Sequence, residues 1–235
     1  MTEVTRRLQE VRARIAVACA RARRAPGSVR LVAVSKTVPA AIVAEAMAAG
    51  QSLFGENRVQ EALTKIDATG PGAAWHLIGH LQKNKARLAA GVFELIHGVD
   101  DRELAAELDR RAASRSTTQP VLVQANLAGE PTKQGAGEEG LMPLLELVAG
   151  LRHLDLRGLM IIPPPVVDPE LSRPWFRRLR ELRDRAALRL ARPLPELSMG
   201  MTDDFEVAIE EGATLVRVGR AIFGERGQTT ILHGP

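Results

Sequence analysis

Apolar residues fall at two different spacings along this chain, and the alternation between the two predicts the fold. Near the start Val4, Leu8, Val11 and Ile15 recur at helical spacing with arginines between them, the pattern of a helix that covers a core with one face. From Arg30 to Lys36 the spacing collapses into a short Val-rich run, RLVAVSK, which stops at polar residues and Pro39, as a strand buried on both faces does. A helix over about 40–49 follows, with Gly50 placed as its C-cap, then a second run at 52–57 (SLFGEN) and a helix near 59–66.

The unit then repeats. Runs at 75–81 (WHLIGHL), 93–100 (FELIHGVD), 120–127 (PVLVQANL), 156–162 (LRGLMII), 195–201 (PELSMGM) and 214–223 (TLVRVGRAIF) complete a set of eight, separated by Ala- and Leu-rich helical stretches. The end of the eighth run already suits a helix. Eight strand-helix units without a linker predict one domain over 1–235, an α/β fold closed as a (β/α)8 barrel of the TIM type behind an N-terminal covering helix. An open, Rossmann-like sheet of six or seven strands is the competing pattern.

Composition narrows the classes without changing that picture. Hydrophobic residues at 45% and charged residues at 26% are those of a globular protein. The single cysteine, Cys19, excludes an internal disulfide and any cysteine-based zinc cluster, and its helical position reads as a small core residue. No apolar run approaches membrane-spanning length and the first residues lack a signal-peptide core, so a cytoplasmic protein with no membrane partner is expected. A net charge of +4 keeps a basic nucleic-acid-binding module among the readings. The arginines, however, concentrate in helical stretches at 6–24 and 173–192, where a solvated helix face is the ordinary explanation, and five Phe, two Trp and no Tyr leave little to stack on bases.

In a barrel the chemistry gathers where the strands end, at one shared mouth. The polar positions there are Lys36, Glu56, Asn57, His80, Asp100, Asn126, the neighbourhood of Met160 and Pro163, then 198–202 and 217–220. A lysine ending a buried strand loses hydration and its ammonium becomes easier to deprotonate, which suits a nucleophile that must be neutral to attack an aldehyde. Position alone reads Lys36 as a side chain snorkelling to solvent. Two glycine-containing segments change the weighting. SMGMTDDFEVAI carries Ser198, Met199 and Gly200 ahead of a helix capped by Thr202 or Asp203, with Asp203 and Asp204 as acids favoured by its dipole; VGRAIFG puts Gly219 and Arg220 after the eighth strand. Loops after the seventh and eighth strands are where such barrels place a phosphate, although neither segment has a dinucleotide or P-loop spacing. An imine-forming lysine beside a phosphate cradle points to a phosphorylated aldehyde cofactor.

At this point a resemblance becomes specific. The runs LVAVSKTVP, FGENRVQEAL, WHLIGHLQKNKAR, IHGVD, GLMIIPP and LSMGMTDDFEVAIEEGATLVRVGRAIFG occur in order from Leu31 to Gly224 and resemble those of the pyridoxal phosphate homeostasis protein family, itself similar to the N-terminal barrel of alanine racemase. The resemblance implies that Lys36 carries pyridoxal 5′-phosphate (PLP) as an imine. It implies that Arg217 faces the pyridine nitrogen, that Ser198, Gly200, Gly219 and the position of Arg220 hold the phosphate, and that Asn57 and His80 lie near the ring; Met160 and Met199 complete the expected site. Arg220 departs from the family's usual Thr, Phe54 and Arg58 from its usual aromatic residues, and Gly98 from its common Ser, which puts individual contacts in question and leaves the fold untouched.

An arginine against the pyridine nitrogen disfavours its protonation and weakens the ring as an electron sink. Racemisation also needs a base on each face, and in alanine racemase the second is a tyrosine; this chain has no Tyr and ends at Pro235, soon after the last barrel segment. A holder of PLP in homeostasis, with little or no catalysis, is therefore expected, with PLP-requiring apo-enzymes as recipients and a monomer favoured. A PLP-dependent amino-acid racemase is the alternative, with His80 or Lys133 as substitute base. Lys133, in a Gly-rich loop at the same mouth, reads as a surface lysine or as a transient second acceptor of the aldehyde. His76 and His80, four apart with no third ligand, read as core or rim residues and not as a metal site.

Overall fold

The computed structural model describes residues 1–25, 27–130 and 133–225. The chain end at Pro235, which entered the expectation above, lies outside the described residues. Helix α1 (Glu3–Arg21) opens the chain, its first turn closed by the Thr2 hydroxyl accepting from the Thr5 N–H. Strands β1 (Arg30–Val34), β2 (Leu53–Glu56), β3 (Ala74–Leu77), β4 (Leu95–Val99), β5 (Gln119–Ala125), β6 (Leu154–Ile161), β7 (Glu196–Ser198) and β8 (Leu215–Val218) then follow. They pair in parallel in sequence order, and β8 closes on β1 through Arg30–Ala33 against Leu215–Val218. The barrel is closed, as the count of eight apolar runs requires.

Between the strands lie α2 (Ala40–Ala48), α3 (Val59–Thr69), α4 (Ala86–Ala89), α5 (Arg102–Ser114), α6 (Glu138–Gly150), α7 (Arg173–Arg189) and α8 (Phe205–Glu210), and α9 (Arg220–Phe223) follows β8. Helix α1 lies across α8 and α9, so the expected covering role is met. Its buried face is Val4, Leu8 and Val11, and Arg14 and Arg21 pair with Glu206 and Glu210 of α8.

Two cores result from the alternation of strand side chains. The larger fills the layer between strands and helices; the smaller, built of Val32, Val34, Leu53, Ile78, Leu95, Leu122, Met160 and Leu215, fills the barrel interior. The interior is not wholly apolar: His76, His97, Ser198 and Arg217 are also buried there. In β6 the pairing with β5 skips Arg157, and Gly158 follows at φ 154°, where an added Cβ would stand 1.9 Å from the Glu196 oxygen; only glycine passes this bulge.

Three strand ends differ from the periodicity reading by three residues or more, and the others by one or two. The third strand stops at Leu77 instead of 81, the seventh at Ser198 instead of 201, and the eighth at Val218 instead of 223. The causes are local. Residues 219–223 turn at once into α9, and Gly200 leaves the strand at φ 90°. The cap of α8 is Asp204, not Thr202 or Asp203; its carboxylate accepts from the Met201 N–H at 2.7 Å and from the Ser172 hydroxyl at 3.0 Å. Chain pairing stops wherever those turns begin, so the polar ends lie in loops over the mouth.

Candidate functional site

A cavity of about 500 Å³ opens at the C-terminal end of the barrel, within the range of small-molecule sites. Lys36, Asn57, His80, Arg217, Gly219 and Arg220 all line it, brought together from the ends of β1, β2, β3 and β8. Lys36 is half-buried, two residues beyond the last residue of β1. Its neighbours on both sides are clamped. Lys65 of α3 donates to the Ser35 carbonyl at 2.6 Å and to Glu56 and Glu61, each at 2.7 Å. The Ser35 hydroxyl donates to Glu56 at 2.7 Å, and Glu61 accepts from the Thr37 N–H at 2.5 Å. Thr37 sits at φ 64°, a left-handed turn that a branched residue rarely takes, so the clamp holds the chain in a conformation it would otherwise leave.

Burial raises the carboxyl of Glu56 above its usual range despite Lys65 and Ser35, and its second oxygen has no hydrogen-bond partner among the described residues. Burial also acts to raise Glu61, but Lys65 and the Thr37 N–H outweigh it and hold that carboxyl low. On strand β8, adjacent to β1, Arg217 is buried; its guanidinium donates to the Ser198 hydroxyl at 2.5 Å and to the Ile161 carbonyl at 2.9 Å. Burial lowers its pKa to about 10, which leaves it a cation at neutral pH.

Four of the expected site residues lie off the cavity wall. Met160 is buried inside the barrel with the interior core, and Met199 packs into the layer beneath the helices. The Ser198 hydroxyl is engaged between Arg217 and His97, the latter at 2.9 Å. Gly200 is buried under α8, its carbonyl accepting from the Arg217 N–H at 3.0 Å; a Cβ there would meet that of Ala208 at 2.5 Å. Thr202, read from sequence as a helix cap, instead lines the cavity beside Asp203, and Arg220 turns its guanidinium to Asp203 and Glu225. A hydroxyl next to Gly200 and opposite Gly219 was the available signal, masked by the alternative of a cap.

The rim carries the remaining polar groups. His80 stands 3.5 Å from Asp100, whose burial raises its carboxyl pKa against the lowering by His80. Lys133 lines the cavity, paired to Glu130 at 2.7 Å and donating to the Pro163 carbonyl at 3.2 Å. His76 and His80 do not share a site: His76 is inside the barrel and His80 is exposed on the rim, and no metal-ligating cluster occurs among the described residues. No helix there is long and apolar enough to cross a membrane.

Residues 7–227 match the family model of the alanine racemase N-terminal domain. The pyridoxal phosphate homeostasis protein of Aquifex aeolicus is 47% identical over 221 residues, covering 94% of this chain and 97% of its own length. This chain belongs to that family. The relative from Pseudomonas aeruginosa, bearing the same name, is 44% identical over 227 residues, covering 96% of this chain and 97% of its own. Among solved structures, PipY of Synechococcus elongatus with PLP bound superposes with a TM-score of 0.84 at 38% identity, covering 94% of this chain and the whole of PipY. A family barrel thus carries Lys36 and Arg217 on the neighbouring strand ends of β1 and β8 at its mouth.

Proposed function

We propose that this chain is a PLP-binding protein of intracellular PLP homeostasis, one barrel that holds the cofactor through an imine to Lys36 and gives it up to PLP-requiring apo-enzymes, with little or no catalysis. The observation that carries the reading is the meeting of Lys36 and the buried Arg217 in one cavity large enough for the cofactor. The donor set fits: an amine for the aldehyde, a buried cation for the ring nitrogen, and, for the phosphate, the Thr202 hydroxyl with the backbone between Gly219 and Arg220. Asn57 and His80 flank the ring in this reading, and Gly200 and Ser198 act beneath it, through Arg217. PLP, when bound, offers an aldehyde and an electron-withdrawing ring.

Custody is favoured over catalysis by what surrounds that ring. A guanidinium that stays charged opposes protonation of the pyridine nitrogen, and with it the stabilisation of a carbanion. Proton carriers on the other face are tied up: Lys133 to Glu130, and His80 beside Asp100.

Borohydride reduction of the cofactor-loaded protein followed by peptide mapping tests the linkage. A phosphopyridoxyl group on Lys36, lost in Lys36→Ala, is the expected result; an adduct absent from Lys36 overturns it. Turnover assays with L- and D-amino acids test custody, and robust saturable racemisation would replace it with the racemase reading.

A further inference from the structure

A line of hydrogen bonds crosses the barrel interior beneath the cavity, and holding the cofactor by Lys36 makes no use of it. Arg217 of β8 donates to the Ser198 hydroxyl of β7 at 2.5 Å. That hydroxyl lies 2.9 Å from Nδ1 of His97 on β4, and His97 Nε2 lies 2.9 Å from Nδ1 of His76 on β3. His76 Nε2 meets Glu94, just ahead of β4 on the opposite face of the barrel, at 3.4 Å. Ser198, His97 and His76 are each 0% exposed, while the Glu94 side chain reaches solvent and is also held by Arg30 at 3.1 Å.

The chemistry of the two ends dictates the order of protons between them. A guanidinium only donates, so Ser198 accepts and turns its own proton to His97 Nδ1. His97 then carries its proton on Nε2 and donates to His76 Nδ1; His76 likewise carries Nε2–H and donates to Glu94, a carboxylate that only accepts. The opposite order would set the lone pair of His76 against that carboxylate. One arrangement satisfies every member, with both imidazoles neutral.

We infer that Ser198, His97, His76 and Glu94 are positioning residues, a one-way chain of donors that fixes the Arg217 guanidinium in the cavity and so the nitrogen end of the ring bound there. This rests on the reading of Arg217 given above. The charge environment agrees. Burial holds both imidazoles below their ordinary range: His76 faces Glu94, Arg30, Glu196 and His97, and His97 faces His76, Arg217 and Arg30. Glu94 is held low by His76 and Arg30. A proton added to His76 sets its Nδ1–H against the Nε2–H of His97, and one added to His97 sets its Nδ1–H against the Ser198 hydroxyl proton; either disturbs the order of the line.

Nitrogen-15 NMR of the histidine-labelled full-length protein at neutral pH reads the order directly, with or without cofactor. Both His76 and His97 are expected neutral with the proton on Nε2; an Nδ1–H form or an imidazolium at either position overturns the proposal. In loaded protein, Ser198→Ala is expected to lower PLP affinity about tenfold, the scale of one hydrogen bond to a charged group, and to shift the pH profile of the imine absorbance. Ser198→Thr, which keeps the hydroxyl, is expected to restore both. An alanine variant that absorbs and binds as the parent does overturns the positioning role. Failure of the parent to form any adduct at Lys36 would defeat the cofactor reading alone, because the histidine measurement is independent of it.

Discussion

The two walls of the mouth solve opposite problems with opposite materials. Around Lys36 the support is ionic: Glu56, Lys65 and Glu61 are drawn in from β2 and α3 to grip the backbone on either side of one reactive side chain. Around Arg217 it is neutral: a hydroxyl and two imidazoles lead away from a single buried cation. Lys36 precedes the strained Thr37 and, in the role proposed for it, must shed a proton to react, so what needs fixing is its main chain. Arg217 must keep its charge, so what needs fixing is the direction of its donors. Buried ions hold position strongly but are costly when separated; a neutral chain is cheaper to bury but depends on each proton being in place.

The largest expected effect follows from separating the ions. Lys65→Met leaves the wholly buried Glu56 without its cation, and should lower unfolding free energy by about 3–5 kcal/mol, read by urea denaturation. Adding Glu56→Gln to that variant should recover most of the loss. A double variant as unstable as Lys65→Met alone would mean that the buried carboxylate is not the source, and the contrast between the walls would fail.

That contrast was unevenly legible in the sequence. Lys36 announced itself because the run RLVAVSK is apolar up to its end, and because Gly-containing loops were in order after strands seven and eight. Its clamp did not: Glu61 and Lys65 are four apart on a helix, a spacing met on any solvated face, and only closure of the barrel turns them inward against Ser35 and Thr37. The donor chain was hidden for a related reason. His97 stands in IHGVD two positions after Leu95, an inward position, yet inward and outward faces are both apolar in a buried strand, so alternation carries no sign of it. Ser198 was expected at the phosphate; its hydroxyl is engaged in the barrel interior, because β7 ends at that residue and its side chain points inward.

The neutral wall should betray itself by pH. Both buried imidazoles have folded-state values below 6.5, so the unfolded chain binds their protons first. Their contribution to stability is complete above pH 6.5 and is lost as pH falls below it. Measured against His97→Gln, the parent should lose up to ~1.4 kcal/mol per pH unit between pH 6.5 and 5. Taking the difference between the two proteins removes the opposing contributions of Glu56 and Asp100, whose raised carboxyl values make acid favour the fold. A flat difference would mean that His97 already carries a proton in the folded state.

The smallest effect lies where this chain departs from its family, at Arg220. The family's usual Thr there offers a hydroxyl to phosphate, whereas this guanidinium is about half exposed and turned to Asp203 and Glu225. Those contacts raise its pKa above the usual arginine value, Asp203 first among the causes, but in a solvated setting they carry little stability. Arg220→Thr should therefore change unfolding free energy by under ~0.5 kcal/mol. Its effect on the cofactor discriminates more finely. If the backbone between Gly219 and Arg220 holds the phosphate, PLP affinity should change by no more than about threefold and keep its dependence on salt. A larger loss, with flattened salt dependence, would show that the guanidinium leaves Asp203 for the phosphate when the cofactor arrives, and that this wall too is held by ions.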